Sequence, residues 1–249
     1  MIYKLKELTF ETTRKCNQHC EHCMRGNSQD INLTKEIVDF FFYRNEIKSI
    51  ETLCFSGGEP TLNPDIIIYI INKIIDENID VDTILMVTNG QVYNDSIIKV
   101  FNKFNEYKNK KLLLENKKER SDNVVIIFST DQYHKKIKEA TKNKYKENAK
   151  GLQINESGLL EKLIKTGLSK YGDNFIYTSP TPKYDYENDV YNILDGLYIT
   201  STGNITTEGD GMYEDMDNNN LGNLKEKNLE DILKYQAKIK KKVIKNDLL

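Results

Sequence analysis

Two rhythms of apolar residues alternate along the chain. Residues 8–12 alternate apolar and polar, predicting a first strand that runs straight into Arg14, Lys15 and Cys16. Behind Thr34, whose side chain suits an N-cap, Ile37, Val38, Phe41 and Phe42 recur at helical spacing and predict a helix ending near Lys48. The unit then repeats. Residues 50–56 read as an apolar strand, Gly57-Gly58-Glu59-Pro60 as a turn, and the spacing of Ile67, Ile70, Ile71, Ile74 and Ile75 as a helix starting at about Pro64. Residues 81–87 predict a third strand ending in Thr88-Asn89-Gly90, and Ile97, Ile98, Phe101 and Phe104 mark the next helix.

Beyond this the pattern loosens. Residues 108–123 are polar and lysine-rich and read as a solvated excursion, with Leu112-Leu113-Leu114 as a short extra element. Residues 124–128 are strongly β-branched and predict a fourth strand ending in Ser129-Thr130-Asp131, before a lysine-rich helical region reaching about residue 150. Residues 156–170 are helical by period, 174–178 read as a fifth strand, and Pro180 and Pro182 interrupt any regular element after it. Residues 197–207 resemble two strands around Gly203-Asn204, a hairpin signal, and 224–245 read as a terminal helix with a basic outer face.

Strands alternating with helices predict an α/β fold with a parallel sheet, and right-handed crossovers place every strand's carboxyl end on one rim. The cysteines, the Gly-Gly-Glu turn, Asn89 and Asp131 all fall on that rim, where α/β folds form their sites. The expected organisation is one core over residues 1–195. Residues 196–249, the hairpin and basic helix, are its extension and not an independent domain.

Composition narrows the class. The chain has 249 residues, 38% hydrophobic and 30% charged, which fits a globular protein and not a disordered one. A formal charge of −2 removes any global electrostatic footprint for nucleic acid or an anionic membrane and leaves only local lysine patches, so nucleic acid is not excluded. The longest apolar stretch, 66–71, is far too short to span a bilayer, and the N-terminus lacks the apolar run of a signal peptide. These features predict a cytoplasmic protein without membrane contact.

Three of the four cysteines, Cys16, Cys20 and Cys23, lie within eight consecutive positions. In a cytosolic chain such spacing points to metal and away from disulfides. Three thiolates on one loop suit three irons of a cubane cluster, leaving the fourth iron open to chemistry. With His19 or His22 as a fourth ligand, the same three also suit structural zinc. Cys54, within the second strand, reads as a small, buried, inert thiol.

The spacing Cys-x3-Cys-x2-Cys at the end of the first strand resembles the signature of radical S-adenosylmethionine (radical SAM) enzymes. Phe55-Ser56-Gly57-Gly58-Glu59-Pro60 resembles that family's Gly-Gly-Glu loop, and Thr88-Asn89-Gly90 the usual ending of its third strand. The resemblance implies a partial (β/α)6 TIM-like barrel in which Cys16, Cys20 and Cys23 hold one [4Fe-4S] cluster and SAM chelates the open iron. It implies that His22 packs near the adenine and that Gly57, Gly58, Glu59 and Pro60 meet the methionyl end, with Glu59 supplying opposite charge to the ammonium. Thr88 and Asn89 would close the same cofactor site, and Ser129 and Asp131 would hold the ribose hydroxyls. One electron, from a donor such as flavodoxin or ferredoxin, would cleave SAM, and the 5′-deoxyadenosyl radical would abstract hydrogen from a substrate. Tyr133 and His134 follow Asp131 and are candidate neighbours of substrate or SAM.

Residues 198–205 and Leu221-Gly222-Asn223-Leu224 are similar to the tail of peptide- and protein-modifying members, which implies a peptide or protein substrate. Those members carry auxiliary-cluster cysteines where this chain has Thr206, Thr207, Asp210 and Gly211, a departure that limits the chain to one cluster. The alternative substrate is a nucleotide or RNA. The alternative of another class is a non-catalytic zinc- or cluster-binding interaction protein.

Overall fold

A computed structural model describes residues 2–159, 164–170, 173–174, 182–185, 190–207, 209 and 211–233. Its first strand, β1 (Ile2–Thr13), is longer than its alternation predicts, and its last six residues are all buried. Burial on both faces is what a central strand of a parallel sheet requires. Leu8 lies between Leu53 and Leu197, and Phe10 between Phe55 and Ile199.

Helix α1 (Lys35–Tyr43) begins where expected, with the Thr34 hydroxyl accepting from the Ile37 amide at 3.4 Å. It ends short of Lys48. The Asn45 side-chain amide donates to the Phe41 carbonyl at 2.7 Å, satisfying an orphan acceptor of the last turn, and the chain turns directly into β2 (Glu46–Gly57). The Phe41 ring packs edge-on against Phe10 at 6.0 Å and fixes α1 to the sheet. A short 3-10 turn (Pro60–Leu62) leads to α2 (Pro64–Asp76), which opens on proline and buries Ile66, Ile67, Ile70, Ile71 and Ile74.

After β3 (Asp80–Thr88), helix α3 (Asp95–Leu114) is capped by Asn94, whose side-chain oxygen accepts from Ser96 and Ile97. It extends through half of the stretch expected to be a solvated excursion. Lys108 lays its stem along the core and pairs its ammonium with Asp80 at 3.1 Å, Leu112 is buried, and the polar residues are the helix's outer face. Then come β4 (Val124–Phe128), at its expected bounds, α4 (Glu139–Asn148) and β5 (Gln153–Glu156).

No described residue of 156–170 is helical. The segment begins as the end of β5, pairing with Phe128, and includes β6 (Ile164–Lys165) and a left-handed residue, Gly167 at φ +64°, which a helix does not accommodate. Of the strand expected at 174–178, β7 (Asp173–Asn174) contains its first residue; 175–178 and Pro180 lie outside the described residues, and Pro182 starts β8 (Pro182–Asp185). The hairpin is present as β9 (Val190–Ile199) and β10 (Asn204–Thr206), followed by α5 (Tyr213–Asn218) and β11 (Gly222–Asn223). Residues 229–233 are helical, and the rest of the helix expected to reach 245 lies outside the described residues.

The main sheet runs β11-β10-β9-β1-β2-β3-β4-β5, with β8 also on β9. Strands β9, β1, β2, β3, β4 and β5 are mutually parallel, so the expected six-stranded, partial TIM-like arrangement is present and the sheet is not closed into a barrel. The parallel strand added last in sequence flanks β1 instead of following β5. That order brings the C-terminal hairpin beside the strand that carries the cysteine loop. Among the described residues no helix is long and apolar enough to cross a membrane.

Candidate active site

Thr13 ends β1 and organises the cysteine loop. Its hydroxyl donates to Ile31 O and accepts from Lys15 N at 3.0 Å, while Arg14 N bonds to Ile31 O at 2.8 Å, so the loop leaves and returns beside the same strand end. Inside the loop, Cys16 N bonds to Ser28 Oγ at 2.9 Å and Cys23 N to Cys20 O at 3.0 Å, a turn that spans the second and third cysteines. Gln18 N donates to Cys16 Sγ at 3.4 Å, and the Cys20 thiol donates to Gln18 Oε1 at 3.3 Å. All three cysteines are free and partly exposed, whereas Cys54 is buried in β2. Burial and the neighbouring thiols push Cys20 up to about 11, and burial also raises Cys16.

The Gly-Gly-Glu turn lies directly on the approach to these cysteines. Gly58 N bonds to Thr13 O and Glu59 N to Lys15 O, both at 2.8 Å. A Cβ on Gly58 would fall 2.2 Å from Lys15 O, and one on Gly57 2.3 Å from Thr13 O. Only glycine permits that backbone-to-backbone contact.

Glu59 is 1% exposed, and the fold itself occupies its carboxylate. Oε1 accepts from Thr61 N (3.1 Å), Thr61 Oγ1 (2.6 Å) and Thr88 Oγ1 (2.6 Å), and Oε2 accepts from Asn89 N (2.8 Å). Burial pushes this carboxyl up and the four donors oppose it; four donors with no acceptor match the ionised form. Its charge therefore ties the loop after β2 to the loop after β3. Glu59→Gln turns an amide donor toward one of these donors and is expected to cost on the order of 2 kcal/mol. Thermal unfolding should then fall by roughly 4–8 °C; an unchanged midpoint would mean the carboxylate is free for a ligand.

At the third rim position, Ser129 N bonds to Thr88 O at 2.9 Å. Asp131, 6% exposed, accepts from Tyr133 N at 3.0 Å through Oδ1 and pairs with His134 Nδ1 at 2.7 Å through Oδ2. His22 stacks on Tyr133 at 4.7 Å and meets His134 edge-on at 4.9 Å. Burial, then the neighbouring His134, lowers the His22 pKa against the pull of Asp131, so the ring is neutral at pH 7. His22 Nδ1 and Gln18 Nε2 are buried without a hydrogen-bond partner.

These groups surround one cavity of about 390 Å3. Cys16, Cys20, Cys23, His22, Gly57, Gly58, Glu59, Thr88, Asn89, Ser129, Asp131 and His134 all line it; of the residues expected at the site, Pro60 is buried in the 3-10 turn and Tyr133 stands behind His22, and neither lines the cavity. Asn89 also contacts Asn17 Oδ1 at 2.8 Å, joining the third rim loop to the cysteine loop. Tyr213, Arg25 and Leu168 line the same cavity and were not foreseen. Leu168 N bonds to Cys23 O at 2.8 Å, and Tyr213 N to Arg25 O at 3.2 Å. The positions of Leu168 and Tyr213 depend on chain returns from 145 and about 190 residues away, for which sequence spacing carries no signal, whereas Arg25 lies on the cysteine loop itself.

Comparison with known proteins agrees with this geometry. Residues 10–155 match the model of the radical SAM superfamily, so the chain belongs to that superfamily. Among solved structures, it is similar to native anSMEcpe with bound AdoMet and Cp18Cys peptide, with a TM-score of 0.53 and 13% identity over 92% of this chain and 80% of that one. Native anSMEcpe with bound AdoMet gives a TM-score of 0.55 and 14% identity over 93% and 80%. Streptococcus suis SuiB bound to precursor peptide SuiA gives 0.47 and 13% over 92% and 64%. At these identities the likeness is one of fold. No curated protein matches the chain.

Proposed function

We propose that this chain is a radical SAM enzyme that holds one [4Fe-4S] cluster on Cys16, Cys20 and Cys23, binds SAM in the adjoining cavity and acts on a peptide or protein. The observation that carries the reading is that three free thiols, the Gly57–Gly58 backbone contact and the Asp131–His134 pair converge on one cavity. Three thiols fit a cubane with one open iron, and the histidine that would close a zinc site, His22, is packed instead against Tyr133 and His134. When bound, cluster and SAM supply reductive cleavage of the sulfonium and a 5′-deoxyadenosyl radical that removes a hydrogen atom from the substrate.

The protein's own part is to bind, orient and exclude water. Gly57 and Gly58 let the main chain stand at the methionyl end, while Glu59 acts by fixing Thr61, Thr88 and Asn89. Pro60 contributes through the rigid turn that presents this loop. His22, braced by Tyr133, is set to face the adenine, and Ser129 and Asp131 the ribose hydroxyls, with Asp131 already oriented by Tyr133 N and His134.

The peptide reading draws on the tail motif and on the bound Cp18Cys peptide of anSMEcpe. The electron comes from a flavodoxin- or ferredoxin-type donor in a reducing cytoplasm, where these thiols stay free. Residues 196–249 extend the core of 1–195, and β9 runs through that boundary. Anaerobic reconstitution tests the reading: about four irons per chain and reductant-dependent 5′-deoxyadenosine are expected. Tight zinc without SAM cleavage would overturn it, and stimulation of cleavage by RNA alone would replace the peptide as substrate.

A further inference from the structure

Arg14 stands two residues before Cys16 and is 1% exposed, the largest fully buried side chain described. Its Nε donates to Glu11 Oε1 at 2.8 Å, and its two terminal nitrogens donate to Asp217 Oδ2 and Oδ1 at 2.7 and 2.8 Å, a bidentate pair across 203 positions of sequence. The same guanidinium donates to Gln29 Oε1 at 3.1 Å and lies over the Tyr213 ring at 4.7 Å. Asp217 also accepts from Thr202 Oγ1 and Asn204 Nδ2, both at 3.0 Å. Glu11 accepts from Ser201 N at 2.9 Å, and Ser201 Oγ donates back to Glu11 O at 2.8 Å.

The network closes on the far side of the cysteine loop. Arg25, two residues after Cys23, donates to Tyr198 OH at 2.7 Å, lies 3.8 Å from Glu11 Oε2, and its carbonyl accepts from Tyr213 N. Helix α5 is thus fastened to residues on both sides of the three cysteines, and its Tyr213 lines the cavity beside them. Glu11 and Asp217 balance Arg14 and Arg25 in charge. Burial raises the Asp217 pKa, but Arg14, Thr202 and Asn204 outweigh it and hold the group below the ordinary carboxylate value. A buried guanidinium deprived of its carboxylate is strongly destabilised, so the cysteine loop's start and α5 are held as one unit.

We propose that Arg14 and Asp217 are positioning residues: their ion pair clamps α5 onto the cysteine loop and sets the loop conformation in which Cys16, Cys20 and Cys23 take up and retain the cluster. The proposal rests on the cluster-bearing reading above. It is tested on the reconstituted full chain by comparing wild type, Asp217→Asn and Thr202→Val in iron content, rate of iron loss to a chelator, and cluster reduction potential. D217N is expected to lose iron roughly tenfold faster than wild type, the scale on which outer partners of metal ligands act. Its potential should rise, because removing one negative charge leaves Glu11 alone to balance Arg14 and Arg25 and makes the surroundings of the cysteine loop more positive. T202V removes a donor to Asp217, together with the Thr202 hydroxyl's contacts to Thr200 and Asn204, and keeps every charge; it should speed iron loss by less than D217N without raising the potential.

A D217N protein that melts lower but keeps wild-type iron loss and potential would overturn the proposal, leaving the pair merely structural. Should D217N fail to fold, the milder T202V decides by iron loss: faster loss supports the clamp, and a wild-type rate overturns it. Failure of the wild type itself to assemble a cluster would strike the functional reading instead, so the two failures are distinguishable.

Discussion

Cys20→Ala is expected to abolish cluster assembly and reductive SAM cleavage while leaving the fold intact. The thiol's hydrogen bond to Gln18 Oε1, at 3.3 Å, is a weak one, and the residue is partly exposed, so its loss should change unfolding free energy by less than about 1 kcal/mol. The effect on iron is of a different order. Two remaining thiolates leave a second iron without a protein ligand, and iron per chain should fall from about four to a background below about one. Cys54→Ala is the internal control: that thiol is buried in β2, pairs in register with Thr9 and Leu85, and should affect packing without touching iron. Iron and 5′-deoxyadenosine retained by the Cys20 variant would show that the ligand assignment is wrong.

How far the site was legible depends on how local its causes are. The cysteine loop, the Gly-Gly-Glu turn, Thr88-Asn89 and Ser129-Asp131 each come directly after a strand, and a right-handed parallel sheet brings such ends together whatever the details of packing. Their convergence on one cavity is therefore a consequence of strand order alone. The direction of a side chain is not. Glu59 was expected to face a ligand's ammonium, yet its carboxylate turns to four donors of its own and its neighbour's loop, a choice set by the tertiary positions of Thr61, Thr88 and Asn89. Arg14 was equally opaque. In sequence it is one polar residue before a cysteine; only the placement of β9 against β1 brings Asp217 to it. The helix expected over 156–170 fails for the opposite reason: its apolar spacing runs across a segment whose first residue, Glu156, closes β5 against β4, whose Ile164 and Lys165 pair with β7, and which turns at Gly167.

Gly58→Ala is expected to separate the two loops on which the site depends. The added Cβ falls 2.2 Å from Lys15 O, 2.7 Å from Lys15 C and 2.9 Å from Arg14 O, all backbone atoms that cannot rotate aside. Relief therefore requires the 57–59 turn or the start of the cysteine loop to move, and the hydrogen bonds Gly58 N to Thr13 O and Glu59 N to Lys15 O stretch with it. Overpacking of this kind costs about 1–3 kcal/mol, which lowers the melting midpoint by roughly 2–12 °C for a chain of this size. The functional loss should exceed what that figure suggests. Lys15 adjoins Cys16, and Glu59 holds Thr88 and Asn89, so one displacement reaches both the thiolate end and the polar end of the cavity. The variant should assemble its cluster poorly and bind SAM more weakly even where the protein is fully folded, a shift of the order of tenfold or more in each. Wild-type iron content and SAM affinity together in G58A would mean that the close approach of these loops is incidental to the site.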